Sequence, residues 1–204
     1  MIQFYCPNCR AYFEVDGNLA GARVACSECD THFQVPMPPP QPVQAPPQKL
    51  SPRQRRLMSD FDRMKALFTY FPLIHLERVQ GNPPELYVVS YRIRGIERLR
   101  GDRVVYRDYH EVEIKLPGTY PRTPPTCRML TPIFHPNIEP AIICIGDHWT
   151  AAERLSDLVV RIGEMIAYQA YNIKSPLDGE AAMWTDLHPD MLPTDCRDLT
   201  PPEA

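Results

Sequence analysis

Apolar residues recur at helical spacing through Leu57, Phe61, Met64 and Phe68. Just ahead stand an N-cap serine, a proline suited to the first helical turn and a capping-box glutamine, Ser51, Pro52 and Gln54. This pattern predicts an amphipathic helix that ends before Pro72, with Arg53, Arg55, Arg56, Arg63 and Lys65 on its solvated face. From Ile74 to Leu130 the period shortens, and Leu86–Ile93 and Val104–Leu116 are rich in Val, Ile and Tyr. Gly101-Asp102 marks a hairpin turn, while Pro83-Pro84 and Pro117-Gly118 break the runs, so a four-stranded antiparallel meander is the simplest arrangement. Residues 131–149 have no clean period and read as a loop. Thr150 and Glu153 form a second capping-box pattern, and Leu155, Leu158, Val159, Ile162 and Ile166 line one face of a helix running to about Tyr168. That helix must cover the sheet. A further short helix is expected over Leu177–Leu187, and the fold class is α+β.

The pattern changes ahead of the first helix. Residues 36–52 hold eight prolines, no acid and no aromatic residue. Such a segment cannot bury a core and reads as a semi-rigid polyproline linker reaching about 50 Å, or as a ligand for a proline-binding domain. Before it, Cys6-x-x-Cys9 and Cys26-x-x-Cys29 are separated by sixteen residues. Each knuckle places two sulfurs on one side of a tight turn, and a tetrahedral Zn2+ needs two such pairs. Redox dithiols and disulfides are the competing readings. A unit this short has little core, so the metal would supply most of its folding energy. The expected organisation is a zinc ribbon over 1–35, a linker over 36–52, a main domain over 53–190 and a polar tail over 191–204.

Composition narrows the function classes. The 204 residues are 44% hydrophobic with a net charge of −3, so no global charge points to nucleic acid or membrane. Residues 1–35 carry Arg10 and Arg23 against Glu14, Asp16, Glu28 and Asp30, and zinc-bound thiolates add more negative charge. No signal pattern or membrane-length apolar run is seen, and a cytoplasmic protein is expected.

Candidate chemistry concentrates in the loop. Ile133-Phe134-His135-Pro136-Asn137 leads to Cys144 and then to Trp149, grouping a thiol, an amide donor and a rigid turn. A thiol that attacks a carbonyl, with an amide able to bond the oxyanion, suits acyl transfer through a thioester. Burial in an apolar strand is the structural alternative for Cys144. Upstream lies Tyr120-Pro121-Arg122-Thr123-Pro124-Pro125. This ordered set resembles the ubiquitin-conjugating enzyme family over residues 52–188, and the cysteine knuckles resemble short zinc ribbons at the N-termini of many bacterial proteins.

The resemblance implies the family's fold: an N-terminal helix, a four-stranded meander, a catalytic loop and a long helix. It also implies that Cys144 accepts a ubiquitin-like protein from an activating enzyme and passes it to an amine or thiol, with a ligase or substrate protein as a further partner. Asn137 would donate to the oxyanion or hold the loop, His135 and Pro136 would be structural, and Trp149 would support the loop or meet a partner. Arg55 and Arg56 on the basic helix would meet the activating enzyme, and Arg122 a ligase-type partner. The chain departs from the family in three places. The asparagine-to-cysteine step is one residue shorter than usual, Ala141 replaces a glycine, and Ser175 stands where an acid is common, leaving Asp178 or Asp147 to supply a carboxylate. His148 is a candidate proton carrier, Cys127 is assigned to the core and Cys196 to the tail. A catalytically inactive scaffold of the same fold is the alternative, and the cysteine itself argues against it.

Overall fold

In the computed structural model, residues 1–37, 49–145, 149–193 and 195–202 are described. Most of the expected linker, together with Asp147 and His148, lies outside them. The chain divides into two compact units, Met1–Lys49 and Leu50–Ala204.

The first unit is built from two similar halves. Strands β1 (Ile2–Tyr5) and β2 (Tyr12–Val15) form one hairpin, and β3 (Arg23–Ala25) and β4 (His32–Gln34) form another. Each hairpin turns through one Cys-x-x-Cys knuckle. Arg10 N donates to Cys6 O at 3.0 Å, and Asp30 N donates to Cys26 O at 2.9 Å. Arg10 and Asp30 carry φ of 62° and 53°, the left-handed residues that close the two turns. Phe4, Phe13 and Phe33 pack ring on ring, with centroids 5.5–6.2 Å apart, and are the main aromatic contribution to a small core.

In the second unit, helix α1 (Pro52–Phe68) begins with the expected capping box: Ser51 Oγ accepts from Gln54 N while Gln54 Oε1 accepts from Ser51 N. Its inner face buries Leu57, Met64 and Phe68 but also Asp60. The opposite face is less solvated than its arginines suggest. Arg53 pairs with Glu85 at 2.6 Å and bonds Pro117 O, and Arg63 bonds Ser156 Oγ.

Strands β5 (Ile74–Gly81), β6 (Pro84–Tyr91), β9 (His110–Lys115) and β10 (Thr126–Met129) form the antiparallel meander, in spatial order β10-β9-β6-β5. Between β6 and β9 the chain makes an excursion, the separate hairpin β7 (Gly95–Arg100) and β8 (Arg103–Arg107). The expected continuous run over Val104–Leu116 is therefore two strands. It breaks where Asp108 turns back to pair with Arg94 at 2.8 Å, closing the hairpin's base.

Helix α2 (Leu155–Ile166) packs against α1 and places Leu155, Leu158, Val159, Ile162 and Ile166 in the core with Tyr87, Val89, Tyr91, Val112 and Ile114. Thr150–Glu153 is not its capping box. These residues form a separate turn, and the helix starts behind Arg154 without a side-chain cap. Glu153 is engaged elsewhere, its carboxylate with Arg161 at 2.9 Å and its carbonyl with Arg56. The helix also stops at Ile166, before Tyr168, whose φ of 56° redirects the chain.

Helix α3 (Gly179–Leu187) is capped by Asp178, which accepts from Ala181 N at 3.0 Å. The segment expected as a polar tail is tied down. Leu199 is buried against Tyr91 and α2, so close that a Cβ on Gly163 would stand 3.1 Å from it. Arg197 braces the segment through Asp195 and Arg92 O. Apolar Leu199 fills a dent that Gly163 leaves in the helix surface, a match that local polarity does not reveal.

Candidate functional site

The loop after β10 turns on three successive residues. His135 is fully buried, its Nδ1 accepts from Asn137 N at 3.0 Å, and its ring meets Tyr168 edge-on at 4.6 Å. Burial holds its pKa down to about 3, which favours a neutral ring at physiological pH. Pro136 presents its carbonyl to Leu177 N and Asp178 N at 2.8 and 3.0 Å. Asn137 Nδ2 donates to Asn172 O at 2.8 Å and to Ser175 O at 3.5 Å, and its Oδ1 accepts from Asn172 N at 2.7 Å. Tyr168 adds a bond from its hydroxyl to Phe134 O at 2.6 Å. Together these contacts fasten the loop to the segment between α2 and α3.

Cys144 follows directly from this node. The short hairpin β11 (Ile138–Glu139) and β12 (Ile142–Ile143) pairs Ile138 with Ile143, and Cys144 N extends the ladder by donating to Asn137 O at 2.9 Å. Ala141 lies exposed at the hairpin turn between the asparagine and the cysteine. Buried Ile138 and Ile143 anchor the hairpin while Cys144 is half-buried at its end. Cys127 is different: it lies inside the sheet, where burial pushes its thiol up to about 12. Cys196 is exposed and lies on the terminal segment.

The remaining predicted residues divide by contact. Trp149 donates Nε1–H to Pro121 O at 2.9 Å and packs on Tyr120, with ring centroids 5.8 Å apart. It joins the Tyr-Pro segment to the end of the loop. Arg56 corrects an expectation. Its guanidinium bonds Asp60 at 2.7 Å, Tyr120 Oη at 3.2 Å, Ala151 O at 2.6 Å and Glu153 O, so its donors are spent inside this unit rather than on a partner. Arg55 is exposed, with one bond to Leu50 O at 2.8 Å. Arg122 is exposed on the rim of a cleft of about 430 Å³ whose other walls include Pro52, Arg53, Tyr120 and Pro121.

Sequence reasoning missed Asp60, Asn172 and the carbonyl of Ser175. Asp60 is a buried acid on an apolar face, and its hydrogen bond from Tyr120 at 2.5 Å spans sixty positions. No local pattern marks such a pair. At the position where an acid was sought, the Ser175 carbonyl receives Asn137, while Asp178 is engaged in capping α3.

In the first unit, the four thiols of Cys6, Cys9, Cys26 and Cys29 lie within 4.8 Å of one another. Cys6–Cys29 and Cys9–Cys26 sulfur separations of 3.8 and 3.6 Å match the edge of about 3.8 Å that four zinc–sulfur bonds of about 2.3 Å give a tetrahedron. Thr31 bonds the Cys29 sulfur at 3.3 Å, and Asn8 Nδ2 points to it at 3.5 Å. These contacts hold the Cys29 thiol down to about 6, and the donor set suits a thiolate-loving metal ion.

Residues 98–192, which contain the whole loop and both later helices, match the family model for ubiquitin-conjugating enzyme. The matches support the ubiquitin-conjugating enzyme family. Human ubiquitin-conjugating enzyme E2 K is 34% identical over 88 residues, 41% of this chain and 43% of that protein, so the chain spans less than half of that relative's length. The NEDD8-conjugating enzyme ubc12 of Schizosaccharomyces pombe is 28% identical over 146 residues, 69% of this chain and 73% of that protein. Among solved structures, one of a putative ubiquitin conjugating enzyme from Plasmodium yoelii superimposes with a TM-score of 0.53 at 19% identity, covering 75% of this chain and 96% of that one. The ubiquitin-conjugating fold of the second unit thus carries a four-cysteine ribbon-like unit ahead of it.

Proposed function

We propose that the second unit accepts a ubiquitin-like protein from its activating enzyme as a thioester on Cys144 and passes it to an acceptor amine or thiol. The observation that carries this reading is the position of Cys144. It is half-buried, it extends a hairpin anchored by buried isoleucines, and it is tied through its own N–H to Asn137 of the His-Pro-Asn turn. In charging, the Cys144 thiolate attacks the carbonyl of the activating enzyme's thioester. A new carbon–sulfur bond forms, the old one breaks, and the activating enzyme's thiolate leaves. In discharge, the acceptor attacks the same carbonyl and Cys144 leaves as thiolate.

Asn137 serves this reaction by holding the loop, because its amide hydrogens are directed at Asn172 and Ser175. His135 and Pro136 shape the turn, and Trp149 secures its far end. Arg55 and Arg122, both exposed, are the partner-facing residues. In the first unit, Cys6, Cys9, Cys26 and Cys29 would hold a structural Zn2+, which when bound cross-links the two knuckles. The reading is tested by incubating the chain with activating enzyme, ATP and the ubiquitin-like protein. A thiol-sensitive adduct is expected, and an equal adduct on Cys144→Ala rejects the assignment.

A further inference from the structure

The excursion between β6 and β9 carries six arginines, Arg92, Arg94, Arg98, Arg100, Arg103 and Arg107, within sixteen positions. Part of that charge is internally satisfied. Arg94 pairs with Asp108, and Arg98 and Arg107 pair with Glu97. The outer end is not. Arg100 and Arg103 face each other directly across the hairpin, and among the described residues neither guanidinium has a partner. Like charges directly opposite in a sheet are destabilising, and among the described residues neither arginine forms an ion pair. Local costs of that kind are found at functional or strained sites.

The hairpin is two-faced. Leu99 and Val104 are half-buried on one side, while Arg98, Arg100 and Arg103 are exposed on the other. It is also firmly mounted. Ile96 is fully buried and its carbonyl accepts from Phe134 N at 2.8 Å, beside the His-Pro-Asn turn, and Tyr106 Oη bonds Met191 O at 2.7 Å beyond α3.

We infer that the exposed arginine face of the β7–β8 hairpin docks a short acidic segment of a partner protein. Arg98 and Arg100 are alternate residues of one strand, about 6.7 Å apart like alternate carboxylates on an extended acidic peptide, Arg103 stands across the hairpin from Arg100, and guanidinium forks bind carboxylates in bidentate fashion. Nucleic acid fits less well. The positive face spans only three side chains, with Asp102 at its tip, and the chain's net charge is −3, so there is no long track for a phosphodiester backbone. Because the base of the hairpin is bonded to Phe134 of the loop that leads to Cys144, a protein docked on it would be a candidate acceptor. That consequence rests on the proposed transfer reaction, whereas docking itself does not.

The test uses the full chain carrying Cys144→Ala, so binding is read without any transfer chemistry. A fluorescein-labelled peptide of alternating Glu and Ser is titrated by anisotropy, beside a Gln-and-Ser peptide and a single-stranded oligodeoxythymidine. The Glu peptide is expected to bind, to weaken about tenfold or more in Arg100→Glu/Arg103→Glu, and to weaken as salt rises from about 50 to 200 mM. Among the described residues Arg100 and Arg103 bond no other part of the fold, so the variant's thermal midpoint and, with Cys144 restored, its adduct formation should be unchanged. Failure of the Glu peptide to bind, equal binding to the charge-reversed chain, or tighter binding of the oligonucleotide overturns the inference.

Discussion

Arg56 and Arg55 are neighbours in sequence and opposites in consequence. Arg56 neutralises Asp60, whose carboxylate is only 5% exposed, and it reaches carbonyls beyond Trp149. Removing it strands a buried charge, so Arg56→Ala should cost about 3 kcal/mol in denaturant unfolding while Arg55→Ala stays within about 0.5 kcal/mol. Equal losses would contradict the assignment. Asn137→Ala deletes the side chain that bonds Asn172 and Ser175, and a loss of about 1–3 kcal/mol in unfolding is expected with charging of Cys144 retained. Full stability with a transfer rate slowed about 10²–10³-fold would make it an oxyanion donor instead. The two histidines of the core carry a pH signature. Burial lowers His110 to about 4 and His135 to about 3 from an ordinary 6.5. The unfolded chain therefore binds more protons below pH 6.5, and the stability present above that pH is lost as pH falls. Between pH 7.5 and 5.5 the two together should account for about 2–3 kcal/mol of lost stability, and a flat profile there would show that they titrate normally. At this scale the motif residues were legible because their types and order are local. The roles of Arg56 and Asp60 were not, because their partners lie as far as 97 positions away.

At the scale of elements, legibility followed the source of the signal. Helix α1 could be read from Ser51 because the capping box is made by residues three apart, and the hairpin at Gly101-Asp102 could be read because its turn is equally local. The start of α2 could not. Thr150 and Glu153 carry the right residue types, but Arg161 and Arg56 engage Glu153 and the helix begins two residues later. Periodicity also joined β8 to β9, since Val, Tyr and Ile alternate through both and the ion pair between Arg94 and Asp108 that separates them is formed in space. Likewise Leu199 becomes part of the core only through the vacancy at Gly163. The loop after β10 has no clean period because its His-Pro-Asn turn is satisfied by the segment between α2 and α3, and among the described residues its only ladder is the pair of two-residue strands β11 and β12.

At the scale of the molecule, the four-cysteine unit and the conjugating fold are separate compact bodies, and each is expected to depend on its own chemistry. The full chain should bind one Zn2+, and Cys26→Ser should lose it, as read by metal analysis against protein concentration. Because no transfer step is assigned to the ribbon, that variant should still form the adduct on Cys144. Loss of the adduct with the metal would mean that the ribbon is part of the reaction. The central claim, that a modifier is carried on the Cys144 sulfur, has a direct measurement. The wild-type chain and Cys144→Ser are each charged with the activating enzyme, ATP and the ubiquitin-like protein, then exposed to a reducing thiol or to mild alkali. The account predicts a wild-type adduct cleaved by the thiol and a serine adduct that resists thiol yet yields to alkali, as a thioester and an oxygen ester must. An adduct on the serine chain that the thiol still cleaves would place the modifier on another sulfur and contradict the account.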